Sequence, residues 1–222
     1  MLNQDYSKRI AIETSQQPWE ESYAGGIARK KLERQQEESG KATSIVRYEK
    51  GSSFPTHVHS GGEEIYVLEG VFSDETGDYS AGNYIRNPIG TSHAPHSEQG
   101  CILFVKLCYF DPQDTKQFVV DTTKQQWLPG LVAGLQVMPL HVIGTEHTAL
   151  VKWSANTQFN PHQHWGGEEI LVLQGEFFDE HGSYPEQTWI RSPHMSKHTP
   201  FVKEKETIIL VKTGHLQHVA GT

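Results

Sequence analysis

Two stretches of the chain repeat one another without a gap. Residues 54–95 align with residues 159–200 at a constant offset of 105, and 21 of the 42 aligned pairs are identical. A chain of 222 residues that carries one block twice is expected to fold as two similar units of roughly 100 residues each. The likeness continues outside the block. Residues 43–48 align with 148–153 at the same offset, Trp19 and Gly26 with Trp127 and Gly134 after a three-residue shift, and residues 102–106 with 208–212 after a one-residue shift. The polar, proline-bearing stretch Asp111-Pro112-Gln113-Asp114 suits a join. The expected domains are therefore residues 1–112 and 113–222.

Composition narrows the class. Apolar content is moderate and glycine plentiful, as in a soluble globular protein. The formal charge of -8 argues against a nucleic-acid partner, which would call for a basic surface. The basic run Arg29-Lys30-Lys31 reads as a solvated strand edge. The opening residues contain no apolar core of a signal peptide, and no apolar run approaches a membrane span. Cys101 and Cys108 are not a CxxC pair. Placed on one predicted strand they point to opposite faces, two thiols that fit a reducing, cytoplasmic setting.

Short segments rich in β-branched and aromatic residues, punctuated by Gly, Pro, Asn, Asp and Ser, predict an all-β fold, a sandwich or barrel. Residues 65–68, 84–86 and 102–107 and their copies are the clearest strands. Residues 28–32 are expected to be strand and residues 33–40 a polar loop. Sheet edges that can pair between halves or between chains make a homodimer an expected assembly.

His57 and His59 are two apart, so on a strand they share a face; Glu63 has the same parity, and His93 follows the turn at residues 86–90. The second copy supplies His162, His164, Glu168 and His198 at identical spacing. A lone His-x-His is most simply a pair of loop histidines. Here four donors recur in both copies while half of the aligned positions changed, and packing alone would not select imidazole three times over. The pattern points to two divalent-metal sites. Three imidazoles and one carboxylate can close a tetrahedral zinc shell, or leave positions open on octahedral Fe(II), Mn(II) or Ni(II).

Arg86 and Arg191 occupy one column and are read as orienting an anion or the glutamate, or as pairing with the Asp-Glu turn. Asp74-Glu75 and Asp179-Glu180 are read as turn residues. Tyr66, Phe72 and Tyr84, with Leu171, Phe177 and Trp189, are expected to pack or line the barrels. His194 is read as a polar group at the second site's mouth or an exposed loop residue.

The motif resembles that of the cupin superfamily. Its first element, G-x5-HxH-x3,4-E-x6-G, is met by Gly51, His57, His59, Glu63 and Gly70, a register that selects Glu63 over Glu64 and leaves Glu64 facing outward. The second, G-x5-PxG-x2-H-x3-N, is met by Gly82, Pro88, Gly90 and His93, with Ser97 in place of Asn. In the second half Asn156, Gln187 and Met195 stand where the first has glycines, which bears on turn shape and not on the ligand set. The strings GGEEIYVLEGVFSDETGDY and GGEEILVLQGEFFDEHGSYP are most similar to the cupin domain of ChrR-type anti-sigma factors. That resemblance implies two tandem cupin domains, double-stranded β-helix jelly rolls, each holding a metal.

The resemblance also implies a function class: a metal-binding sensor or regulator. The sigma-binding His-x3-Cys-x2-Cys module of that group has no counterpart in this sequence. The alternative is an Fe(II)-dependent dioxygenase cleaving a β-diketone or hydroxyketone. A third class is a storage or structural bicupin. In the first two a small-molecule ligand or substrate is the partner.

Overall fold

The computed structural model describes residues 1–36 and 39–216. It is built from β-strands, with two single 3-10 turns at Thr14–Gln16 and Thr122–Lys124 and no α-helix among the described residues. The all-β expectation holds. The contacts divide the chain into two compact units, one of residues 1–4 and 17–125, the other of residues 5–16 and 126–222.

In the first unit the strand Glu63–Asp74 is central. It pairs antiparallel with Asn83–Asn87 on one side and Cys101–Leu107 on the other, and the sheet continues through Ala42–Tyr48 to Ile27–Arg34. A small separate ladder sets Ser92–His93 against His57–Val58, with His93 opposite His57. The second unit repeats the plan: Glu168–Gln174 pairs with Thr188–Ser192 and Thr207–Thr213, and His162–His164 pairs with Ser196–His198, His162 opposite His198. In each unit alternate residues of the strands fill one interior. Ile27, Val46, Ile65, Phe72 and Leu103 pack together in the first, and Leu135, Trp153, Ile170, Phe177 and Ile209 in the second.

The outermost strand of each sheet comes from an arm. Ile10–Glu13 pairs with Thr188–Ser192 in the second unit, and Phe118–Asp121 pairs with Asn83–Asn87 in the first. The two arms correspond at an offset of 108, and each runs into a 3-10 turn. Each arm thus lies in the unit opposite to its place in the sequence, which a break at residue 112 does not convey.

Several local readings change. The strand expected over residues 28–32 runs Ile27–Arg34, with a bulge between Lys31 and Glu33 after which Glu33 and Arg34 still pair with Thr43 and Ala42 and are both buried; of the expected loop, residues 37–38 lie outside the described residues. Arg29-Lys30-Lys31 is not a solvated edge. Lys30 is buried over the Trp19 ring and Arg29 is half-buried. Glu64 does not face solvent: it is buried, accepting hydrogen bonds from Tyr84 Oη (2.9 Å) and Arg86 Nη1 (3.0 Å). Arg86 also pairs with Asp114, not with the Asp-Glu turn. Arg191 donates to the Asp5 carbonyl and stacks on Tyr6. Cys101 opens a strand and is buried, whereas Cys108 lies past that strand's end at φ +63°. Both are free thiols.

The lost glycines did not lose their turns. Gly51, Gly82 and Gly90 have φ of 76°, 88° and 86°; Asn156, Gln187 and Met195 have 61°, 66° and 63°. The second unit keeps the same left-handed corners; Asn156 is a residue that tolerates one, whereas Gln187 and Met195 disfavour theirs at about 1 kcal/mol or more each.

Candidate metal centres

The ladder that sets His93 against His57 brings the first copy's donors to one point. His57, His59, Glu63 and His93 each offer one donor atom, and all four atoms lie within 4.8 Å of one another. The ring centroids of the three histidines are 4.7–5.0 Å apart.

Outer hydrogen bonds decide which nitrogen faces inward. His57 Nδ1 lies 3.0 Å from the Pro55 carbonyl and His93 Nδ1 lies 3.2 Å from Asp74 Oδ2, both pure acceptors. Each of these nitrogens must carry the proton. Thr91 Oγ1 donates to the Pro88 carbonyl (2.7 Å), so it accepts from His59 Nδ1 (2.9 Å). In its neutral form each ring therefore turns its Nε2 lone pair to the centre. There His59 Nε2 and His93 Nε2 are buried without a hydrogen bond, 3.1 and 3.4 Å from Glu63 Oε2. Acceptors crowded on acceptors call for a cation, and the donor set fits a divalent metal.

The second copy brings His162, His164 and His198 together in the same way. His162 Nδ1 donates to the Asn160 carbonyl (2.9 Å) and His198 Nδ1 to Asp179 Oδ2 (3.4 Å), so their Nε2 atoms face each other at 3.3 Å; burial lowers the pKa of His198, but Asp179 and Glu168 outweigh it and raise it. His164 Nε2 sits 2.9 Å from His198 Nε2. Glu168 stands farther back. Its Oε2 is 3.5 Å from His164 Nε2 and 3.7 Å from His198 Nε2, and it is not in mutual reach of all three imidazoles. His164 lacks the brace that His59 has, because Ser196 replaces Thr91 and its hydroxyl is buried without a partner.

Sequence reasoning took Asp74 and Asp179 as turn residues only. Both accept turn hydrogen bonds, from Thr76 and from the His181 amide, but each also holds the last histidine of its site. Asp179 is itself held by Arg9 (2.8 Å) and Tyr184 Oη (2.8 Å). In the first unit the arm reaches the site through Gln117 Nε2, which donates to Asn87 Oδ1 (3.1 Å); Asn87 Nδ2 in turn donates to Glu63 Oε2 (3.1 Å). Arg9 and Gln117 correspond at the arm offset of 108. His194 is outside the cluster: its Nδ1 accepts from the Gly166 amide (2.9 Å) and its ring meets Trp165.

The two carboxyls are set oppositely. Burial pushes Glu63 up, but His59, His93 and the Asn87 amide outweigh it and hold the group at about 2. For Glu168 burial, with Asp179 adding to it, prevails over the pull of His198 and Arg9 and raises it to about 7; among the described residues it has no counterpart of the His59 and Asn87 hydrogen bonds that lower Glu63. Burial lowers His57, His162 and His164, the last to about 3, which keeps these rings neutral and ready to ligate.

Residues 7–111 and 115–217 each match the family model described as "ChrR Cupin-like domain". The chain belongs to the ChrR cupin-like family, in two tandem copies. A search of curated proteins finds no significant match. Solved structures of similar fold include a putative dioxygenase from Nostoc punctiforme (TM-score 0.79, 12% identity, covering 93% of this chain and 82% of that one). Another is the putative glyoxylate induced protein of Pseudomonas aeruginosa (0.73, 11%, 92% and 87%). A third is a deletion mutant of Bacillus subtilis oxalate decarboxylase (0.66, 13%, 92% and 76%). At such identities the likeness establishes the two-cupin fold alone. Each ChrR cupin-like unit of this protein also carries a cavity at its His cluster. That of the first is about 290 Å³ and includes His57, His59, Glu63 and His93 in its wall; that of the second is about 480 Å³ and includes His162, Glu168 and His198.

Proposed function

We propose that this bicupin holds a divalent metal ion in each half and presents it to a small organic molecule in the adjoining cavity, as a metal-dependent dioxygenase acting on a diketone or hydroxyketone would. The observation that carries this reading is the junction of preset lone pairs with a ligand-sized space. A purely structural ion would have no use for a cavity at its face. His57, His59, Glu63 and His93 would hold the metal in the first unit; His162, His164 and His198, with Glu168 drawn in, would hold it in the second. The bound metal would supply Lewis-acid polarisation of a chelating substrate. The chain contributes the orientation of the rings through Pro55, Thr91, Asp74, Asn160 and Asp179, and apolar walls that limit water. The fold shared with a putative dioxygenase supports the same direction.

A sensory or regulatory role is the second reading, favoured by membership in the ChrR cupin-like family. It uses the same seats, with zinc filling a closed shell. One experiment separates the two: elemental analysis of the purified protein, then oxygen uptake with acetylacetone after Fe(II) loading. Uptake that disappears in His57→Ala or His162→Ala is the result expected of the enzyme. Tightly held zinc with no uptake would leave the sensor.

A further inference from the structure

The two metal seats are nearly the same, but the cavity walls beside them have diverged. Arg29, Ser44 and Tyr48 line the first cavity. Their counterparts in the second unit are Val137, Ala149 and Trp153. The register confirms the match, because Arg29 lies opposite Val46 and Val137 lies opposite Val151. Each of these three polar side chains is thus replaced by an apolar one in the copy, apart from the indole N–H of Trp153.

None of the three polar groups pairs with a carboxylate or a hydrogen-bond partner among the described residues. Ser44 is 4% exposed, and its hydroxyl is buried with no hydrogen-bond partner. Such an atom is costly unless something else satisfies it. Tyr48 is also buried, and its hydroxyl makes no hydrogen bond among the described residues. Its neighbours in the sheet find carboxylates: Lys31 pairs with Glu20 at 2.8 Å, and Arg47 lies 3.9 Å from Glu21 and Glu49. Arg29 pairs with none among the described residues. Its guanidinium instead lies over the Phe54 ring at 5.7 Å, and that ring meets the His57 ring edge-on at 5.3 Å. One unpaired guanidinium and two idle hydroxyls therefore share a cavity whose other end is the imidazole cluster. A guanidinium free of carboxylate partners within the protein is a donor suited to a carboxylate.

We infer that the N-terminal cavity binds a small organic molecule bearing a carboxylate, held by Arg29, while the molecule's other end faces the histidines. The C-terminal cavity lacks this preference. The carboxylate end is read from the wall alone; only the placing of the far end rests on the metal reading above.

Calorimetric titration of the full chain with 4-oxopentanoate, and separately with its uncharged methyl ester, tests this. Metal content is measured in the same samples. The acid is expected to bind at least tenfold more tightly than the ester. Arg29→Gln is expected to weaken the acid by about tenfold to a hundredfold and leave the ester unchanged. Arg29→Lys should recover part of the loss, and Val137→Ala should have no effect on the acid. Equal binding of acid and ester, wild-type affinity in Arg29→Gln, or binding of neither molecule would overturn the inference. Acid binding that persists after chelation and still depends on Arg29 would uphold it while the metal reading fails. Metal-loaded protein that does not tell acid from ester would do the reverse.

Discussion

The two halves began as one sequence block, and their metal seats now differ in how firmly they are built. In the first, every ligand has an outer partner: Pro55 and Thr91 for His57 and His59, Asn87 for Glu63, Asp74 for His93. In the second, Ser192 and Ser196 replace Asn87 and Thr91, so Glu168 and His164 lose theirs. Asp179, by contrast, is anchored more strongly than Asp74, through Arg9 and Tyr184. Ligand identity can thus survive duplication while the groups that orient the ligands drift, and among the described residues the second site keeps braces on His162 and His198 alone.

The sharpest break of this comparison is at Asp179. Asp179→Ala removes the brace of His198 and leaves buried Tyr184 and half-buried Arg9 without their partner. We expect destabilisation of about 3 kcal/mol in chemical denaturation and at least tenfold weaker metal binding at the second site. The corresponding Asp74→Ala is expected to weaken the first site with a smaller loss of stability, because Asp74 has no arginine partner among the described residues.

Next in size is the pH dependence. Glu63 lies below its unfolded value, so its contribution to stability is present above about pH 4.5 and is lost as pH falls towards 2. Glu168 lies above its unfolded value, so its contribution is present below pH 4.5 and is lost as pH rises through about 7. Metal uptake by the second site must displace that proton and is expected to strengthen steeply from pH 6 to 8. The first site should show no such carboxylate step. Titrations in His57→Ala and His162→Ala, each with one site left, read the two separately; parallel curves would erase the distinction.

Smaller effects are expected at the corners and the missing brace. Met195→Gly and Gln187→Gly relieve left-handed side chains and should each stabilise the protein by about 0.5–1 kcal/mol, seen as a higher midpoint of thermal unfolding. Gly90→Ala in the first unit should do the opposite. Ser196→Thr restores the hydroxyl that braces His59 in the first copy and should tighten metal at the second site by a few-fold.

Much of this was legible in the sequence, for a physical reason. Metal ligation fixes both residue type and spacing, so the His and Glu columns stood out against a background in which half of the pairs had changed. Strand patterning gave the all-β fold. The supporting groups were not legible because their roles depend on direction rather than identity. Asp74 and Asp179 serve the turn with one oxygen and a histidine with the other, and only the first use has a local signature. Glu64 seemed an outward neighbour of Glu63, yet the arm strand Phe118–Asp121 and the Arg86–Asp114 pair cover that face. Arg9 and Gln117 lie far from their sites in sequence, and no spacing rule reaches them. One available signal was missed: the three-residue shift that aligned Trp19 with Trp127 also aligns the arms and would have paired Arg9 with Gln117.

The central claim is that duplication preserved two metal seats. Its most direct test is metal stoichiometry by mass spectrometry on the purified chain and on His57→Ala, His162→Ala and the double variant. Two equivalents in the wild type, one in each single variant and none in the double are predicted. Absence of metal after loading, or stoichiometry unchanged by the substitutions, would contradict it.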